Sequence, residues 1–126
     1  NAATTLTNAV LKSAVRDITF SAAAEAGEAR VVSAEVKDGT NVAVAAVAQV
    51  YIEVIAPTNG KGQITVTNGG DLLTINDAGG KIHRAWVETT GAGAFAFSVA
   101  DDQAESVLVR MMGDNGALTH VKVTFT

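Results

Sequence analysis

The last third of the chain, residues 94–126, constrains the fold more than any other part. Its first run carries large apolar side chains at Phe95, Phe97 and Val99, with Ala94, Ala96 and Ser98 between them. A second run, 106–112, puts Val107, Val109 and Met111 on one side, and a third, 118–126, does the same with Val121, Val123 and Phe125. In an extended chain successive side chains point to opposite faces, so strict alternation means one buried face and one solvated face. Asp114, Asn115 and Gly116 stand between the last two runs, and such residues tolerate positive φ and close hairpins. Parallel neighbours would need a long crossover between them, and there is no room for one. The region predicts antiparallel sheet.

The same pattern extends upstream. Ile18, Phe20 and Ala22 share one face of a first run, and Glu25, Ala26, Gly27 and Glu28 make a turn. Val32, Ala34 and Val36 then point one way while Ser33 and Glu35 point the other. Asp38, Gly39, Thr40 and Asn41 form a turn with residues suited to left-handed backbone. A long run, 46–55, alternates Val50, Ile52 and Val54 against Tyr51, Glu53 and Ile55, and residues 57–62 form a loop. The short runs 64–67 and 72–75 flank Asn68, Gly69 and Gly70, either as edge strands or as the walls of a protruding hairpin. Trp86 stands in the middle of 81–89, where its size suits the gap between two sheets. Turns every eight to twelve residues, with no long internal helix, predict an all-β, Ig-like antiparallel β-sandwich of seven or eight strands over residues 17–126. The expected core is Ile18, Phe20, Val32, Val36, Val50, Ile52, Trp86, Phe95, Phe97, Val109, Val123 and Phe125. The glycine-rich stretch 59–80 is the part of the sandwich least needed for that core.

Residues 1–16 differ. Leu6, Val10 and Ala14 recur every four residues with Leu11 and Val15 beside them, which predicts a short amphipathic helix. About ten residues cannot hold a helix in water alone, so this arm needs a surface, either its own domain or a neighbouring subunit.

Composition excludes several classes. A chain of 126 residues makes one domain, and its 48% hydrophobic content, mostly Ala and Val with 5% aromatics, suits a thin two-layer core. Without cysteine there are no disulfides and no thiolate metal sites. The net charge is −4 and no stripe of Lys or Arg occurs, which argues against a general nucleic-acid binder. No stretch approaches the roughly 18 apolar residues of a membrane span; the nearest, 42–55, is broken by Gln49 and Glu53 and closed by Pro57. No signal peptide is expected, because no apolar run follows the first basic residue, Lys12.

The residues offer little chemistry. His83 and His120 are the only histidines and fall in different strands, away from carboxylates at metal-ligand spacing. Gly-x-Ser-x-Gly does not occur. Gly60, Lys61 and Gly62 lack the spacing and the strand-loop-helix context of a phosphate loop. Asp101, Asp102, Glu105 and Asp114 could together hold a hard cation, but solvated loop charge is the ordinary reading of such a group. One Trp and one Tyr imply no aromatic binding platform. The expectation is a non-enzyme with no catalytic residue, no cofactor and no metal.

From Glu25 onward the order of features resembles a compact Ig-like domain of tailed-bacteriophage virion proteins. An acidic turn, 25–28, leads to the strand 31–36, then to Lys37, Asp38 and Gly39 and a Val-rich strand, 47–55. A glycine-rich insertion, an aromatic-alternating strand and a terminal hairpin ending at Phe125 and Thr126 complete the pattern. The Asp-Gly turn before a Val-rich strand is also similar to intimin/invasin-type repeats, although the proline those repeats carry after an Asn-Gly turn is missing here. The phage resemblance implies a virion structural protein made in the host cytoplasm. It would most naturally be a capsid decoration protein on the particle surface, or else a tail or head-fibre element. Its partner would be the major capsid protein, another virion protein or a second copy, with neither nucleic acid nor membrane involved. Leu6, Val10 and Leu11 would form the contact. The alternative is an adhesin or carbohydrate-binding Ig-like module of a phage fibre or a bacterial surface protein.

Overall fold

The computed structural model describes residues 11, 14–56, 62–76, 82–113 and 116–126; for 71–76 and 82 it describes the backbone alone. Nine strands occur among them: β1 Asp17–Ala22, β2 Ala29–Lys37, β3 Gln49–Ala56, β4 Gln63–Asn68, β5 Gly70–Asn76, β6 Ile82–Glu88, β7 Ala94–Ala100, β8 Ser106–Gly113 and β9 Leu118–Thr124. They form a four-stranded sheet, β1-β2-β7-β4, and a five-stranded sheet, β5-β6-β3-β8-β9. Every pairing is antiparallel. The architecture is the expected all-β, Ig-like sandwich. The count is nine rather than seven or eight because both short glycine-flanked runs pair, β4 with β7 and β5 with β6.

The core follows the alternation. Val32, Val36, Val99 and Phe97 of one sheet meet Val50, Ile52, Val87, Val107, Val109 and Val123 of the other, all fully buried. Phe95 and Phe97 stack with ring centroids 6.4 Å apart. Ile64 of β4 is buried too, so the glycine-rich stretch 59–80 contributes to the core it was expected to bypass. Val15 joins the same cluster, and the Arg16 N–H donates to the Lys37 carbonyl at 2.8 Å, so packing begins ahead of β1.

Two expected core residues lie elsewhere. Phe20 pairs with the inward-facing Ala34, but β1 is an edge strand, and the ring overhangs the rim at 41% exposure. Trp86 lies between the buried Ala85 and Val87 and opposite Tyr51, so it points outward, half-buried on the solvent face of the five-stranded sheet. Its neighbours in alternation, Arg84 and Glu88, are polar, and that company outweighs its size.

The connection from β2 to β3 is irregular yet packed, with Val44, Ala46 and Ala48 buried. Thr89 holds it: the hydroxyl donates to the Ala46 carbonyl at 2.9 Å and accepts the Ala48 N–H at 2.8 Å. Gly93 sits beneath this connection at φ +78°, where a Cβ would fall on the Val44 carbonyl. Gly69, at φ +90°, lets β4 in one sheet turn into β5 in the other, and a Cβ there would lie 2.5 Å from the Glu88 carbonyl. The β1–β2 turn, the β7–β8 turn and the last residues share one pole, tied by Asp101 N–H to Glu28 carbonyl and Phe125 N–H to Glu105 carbonyl, each at 2.9 Å.

Candidate functional site

With the inward faces spent on the core, the outward faces carry whatever else the domain does. On the five-stranded sheet the register places Trp86, Tyr51, Met112 and Leu118 in one row across β6, β3, β8 and β9. The row beside it runs Arg84, Glu53, Arg110 and His120 across the same strands. Neighbouring rows on one face are about 7 Å apart, so long side chains of the two rows touch.

The two rows are joined at their centre. The Tyr51 and Trp86 rings lie with centroids 5.2 Å apart at an interplanar angle of 45°. The Tyr51 hydroxyl donates to Glu53 Oε2 at 2.9 Å, and the Arg110 guanidinium donates to Glu53 Oε1 at 2.5 Å. Partial burial raises the Tyr51 pKa above that of a free phenol, and its hydrogen bond to Glu53 adds to this. Glu53 and Arg110 keep 22% and 37% of their side chains in solvent, so the pair fixes geometry while its outer edges stay reachable. At the end of the first row Leu118 is 51% exposed. The face thus offers an apolar strip beside fixed hydrogen-bonding groups of both charges.

The four-stranded sheet presents a different surface. Ser21, Ser33, Ala96 and Asn68 form a row across β1, β2, β7 and β4. Beside them lies a shallow hollow of about 330 Å³, walled by Thr19, Glu35 and Lys37 and by the overhanging Phe20 ring. It contains hydroxyls and one surface ion pair, Lys37–Glu35 at 3.2 Å.

The sequence-derived candidates fare unevenly. Leu6 and Val10 lie outside the described residues; Leu11 is described and is 41% exposed. His83, half-buried on β6, and His120, exposed on β9, are separated by β3 and β8. Asp114 lies outside the described residues, and the β7–β8 turn is not simple solvated charge, since Asp101 is 4% exposed. No three acidic or histidine side chains among the described residues group as a metal cage, and no described helix is long and apolar enough to cross a membrane. The paired Tyr51 and Trp86 were missed as a platform because pairing register joins them, and a single strand does not reveal its register. The only signal was that both alternate with charged residues, Glu53 and Arg84.

No protein-family model and no curated protein sequence matches this chain. Solved structures do share its fold. The adhesin InvE of Yersinia pseudotuberculosis superposes with a TM-score of 0.63 at 18% identity, over 90% of this chain and 32% of the adhesin chain. A β-glycosidase from Bacteroides vulgatus gives a TM-score of 0.60 at 11% identity, over 89% of this chain and 14% of the enzyme chain. At these identities the likeness establishes the Ig-like sandwich and nothing finer. This chain spans about a third of the adhesin and a seventh of the glycosidase.

Proposed function

We propose that this chain is a non-enzymatic, adhesin-like Ig module of a larger surface-exposed protein, and that it binds a cell-surface glycan on the outer face of its five-stranded sheet. The observation that carries this reading is the row of half-buried Trp86, Tyr51 and Met112 and exposed Leu118 on the outer face beside Glu53 and Arg110. Aromatic residues and Arg are over-represented where proteins bind others, because they bring large rigid area with a polar edge. A pyranose ring has an apolar face and a rim of hydroxyls, and this surface matches it with aromatic faces and a fixed carboxylate–guanidinium pair. The adhesin neighbour supports the reading at the level of fold, and its greater length fits a module within a larger chain.

A glycan array probed with the wild-type chain tests this. The expected result is binding to a defined set of glycans at micromolar affinity, reduced at least tenfold by Trp86→Ala with the fold intact by circular dichroism. Absence of glycan binding by the wild type, or equal binding by the variant, would remove the proposal.

A further inference from the structure

Among the described residues the two sheets end in four edge strands, β1, β4, β5 and β9, and three of these are blunted. β4 loses its register with β7 between Val66 and Asn68, and β5 slips twice against β6. β9 is regular but carries His120 and Lys122. Bulges and charged side chains of this kind keep an edge from taking a further strand. β1 has no such device: Asp17–Ala22 pairs with β2 without a register shift, and no charge or proline follows Asp17 within it. Just past its end the Ala23 N–H donates to the Val31 carbonyl at 2.8 Å. Backbone groups alternate in direction along an antiparallel strand, so Thr19 and Ser21 turn theirs toward β2 while Ile18, Phe20 and Ala22 turn theirs to the open edge. In keeping with this, the Ile18 N–H donates to Asp17 Oδ1 at 2.8 Å rather than to β2. Phe20 adds an apolar ring to that edge, 41% exposed.

We infer that β1 is a self-association edge: a second copy of this chain adds its own β1 antiparallel, across a two-fold axis at Phe20, and continues the four-stranded sheet. What selects a second copy is that the strand is complementary to itself in this register. Phe20 meets the partner's Phe20, Ile18 meets the partner's Ala22, and Thr19 meets the partner's Ser21, so apolar pairs fall on the core side and hydroxyl pairs on the outer side. The backbone matches as well. Ile18, Phe20 and Ala22, whose groups point outward, become the hydrogen-bonded pairs and supply about six bonds across the seam. Centring the axis on Thr19 or Ser21 would leave Ala22 or Ile18 without a partner within β1. Asp17 comes alongside the partner's Ala23, whose carbonyl accepts from Arg30 Nε at 2.7 Å, so a carboxylate and a guanidinium share each end of the seam. One short strand a side is less than the about 20–30 residues of a standard interface, so the dimer is weak, with a Kd of roughly 0.1 mM. The pairing uses no residue of the Trp86 row and stands or falls apart from the glycan reading. Because paired strands share their faces, it would turn the Trp86 rows of both copies to one side, which raises avidity for a repeated ligand.

Sedimentation equilibrium of the full chain from about 10 µM to about 1 mM tests the edge, and the wild type should pass from monomer to mostly dimer across that range. Phe20→Lys sets two ammonium groups against each other at the axis and should stay monomeric throughout, with the circular dichroism of the wild type. Cross-linking fixes the register independently, since the chain has no cysteine of its own. Thr19 and the partner's Ser21 form a non-hydrogen-bonded pair with Cα atoms about 4.5 Å apart, within disulfide reach. Under mild oxidation, Thr19→Cys mixed with Ser21→Cys should give about tenfold more disulfide-linked dimer than either variant alone. A wild type still monomeric at about 1 mM, a Phe20→Lys chain that dimerises as the wild type does, or cross-links as abundant in either cysteine variant alone would each overturn the inference. A monomeric wild type would leave that edge to residues 1–10 of the same chain or to water.

Discussion

The two outward faces of this sandwich are built from the same alternation and put it to opposite use. On the four-stranded sheet one outward row holds Ser21, Ser33, Ala96 and Asn68, small or uncharged side chains, and the exposed apolar Val31 on the same face is paired with Ser98 rather than with an aromatic ring. On the five-stranded sheet the equivalent positions hold Trp86, Tyr51, Met112 and Arg110, with Tyr51 and Arg110 joined through Glu53 and the Trp86 ring against Tyr51. Core formation constrains inward residues and leaves outward ones free. The chain has placed its one Trp and its one Tyr side by side at such free positions. Packing does not require that arrangement, and the proposed glycan recognition would use it.

Perturbations should separate the shared interior from the two faces. The largest effect belongs to the interior: Phe97→Ala should cost about 3–5 kcal/mol in urea unfolding, since the lost transfer energy and the cavity add at a fully buried site. Trp86→Ala should cost less, about 1–3 kcal/mol, and a double-mutant cycle with Tyr51→Ala should return a coupling of about 0.5–1.5 kcal/mol. Ser33→Ala on the opposite face should stay within about 0.5 kcal/mol. Equal costs at Trp86 and Ser33 would erase the contrast between the faces.

Much of this was legible in the sequence, and the failures have particular causes. Val121 and Val123 announce their face because His120, Lys122 and Thr124 alternate with them. Trp86 has the size of a core residue, but the polar Arg84 and Glu88, two positions away on each side, share its outward face. Phe20 has the right parity, but nothing in its own strand says that β1 lies at an edge. The burial of Asp101 is invisible locally, since it depends on a backbone bond to Glu28, more than seventy residues away in sequence.

Two pH effects should be smaller still. The Tyr51 pKa is raised by partial burial and by its bond to Glu53, so its contribution is complete below about pH 10 and is lost as pH rises through the folded value. Ultraviolet titration should show the phenol ionising later than a free tyrosine, and Glu53→Gln should bring it closer to normal. In the exposed 38–42 turn, Asp38 Oδ1 accepts the Val42 N–H, the Thr40 hydroxyl and the Thr40 N–H at 3.0, 2.7 and 2.8 Å, which lowers the Asp38 pKa. Its contribution is present above about pH 3.9 and is lost as pH falls through the lower folded value, which amide exchange at Thr40 and Val42 should report as local opening.

The most direct test of the functional claim is to map a bound glycan onto the two faces by amide chemical-shift perturbation of the folded chain. The prediction is that the largest shifts fall on β3, β6 and β8, centred on Tyr51, Trp86 and Arg110, with Ser33, Ala96 and Asn68 unmoved. Shifts centred on the Ser33–Ala96 hollow, or on Leu11, would contradict it.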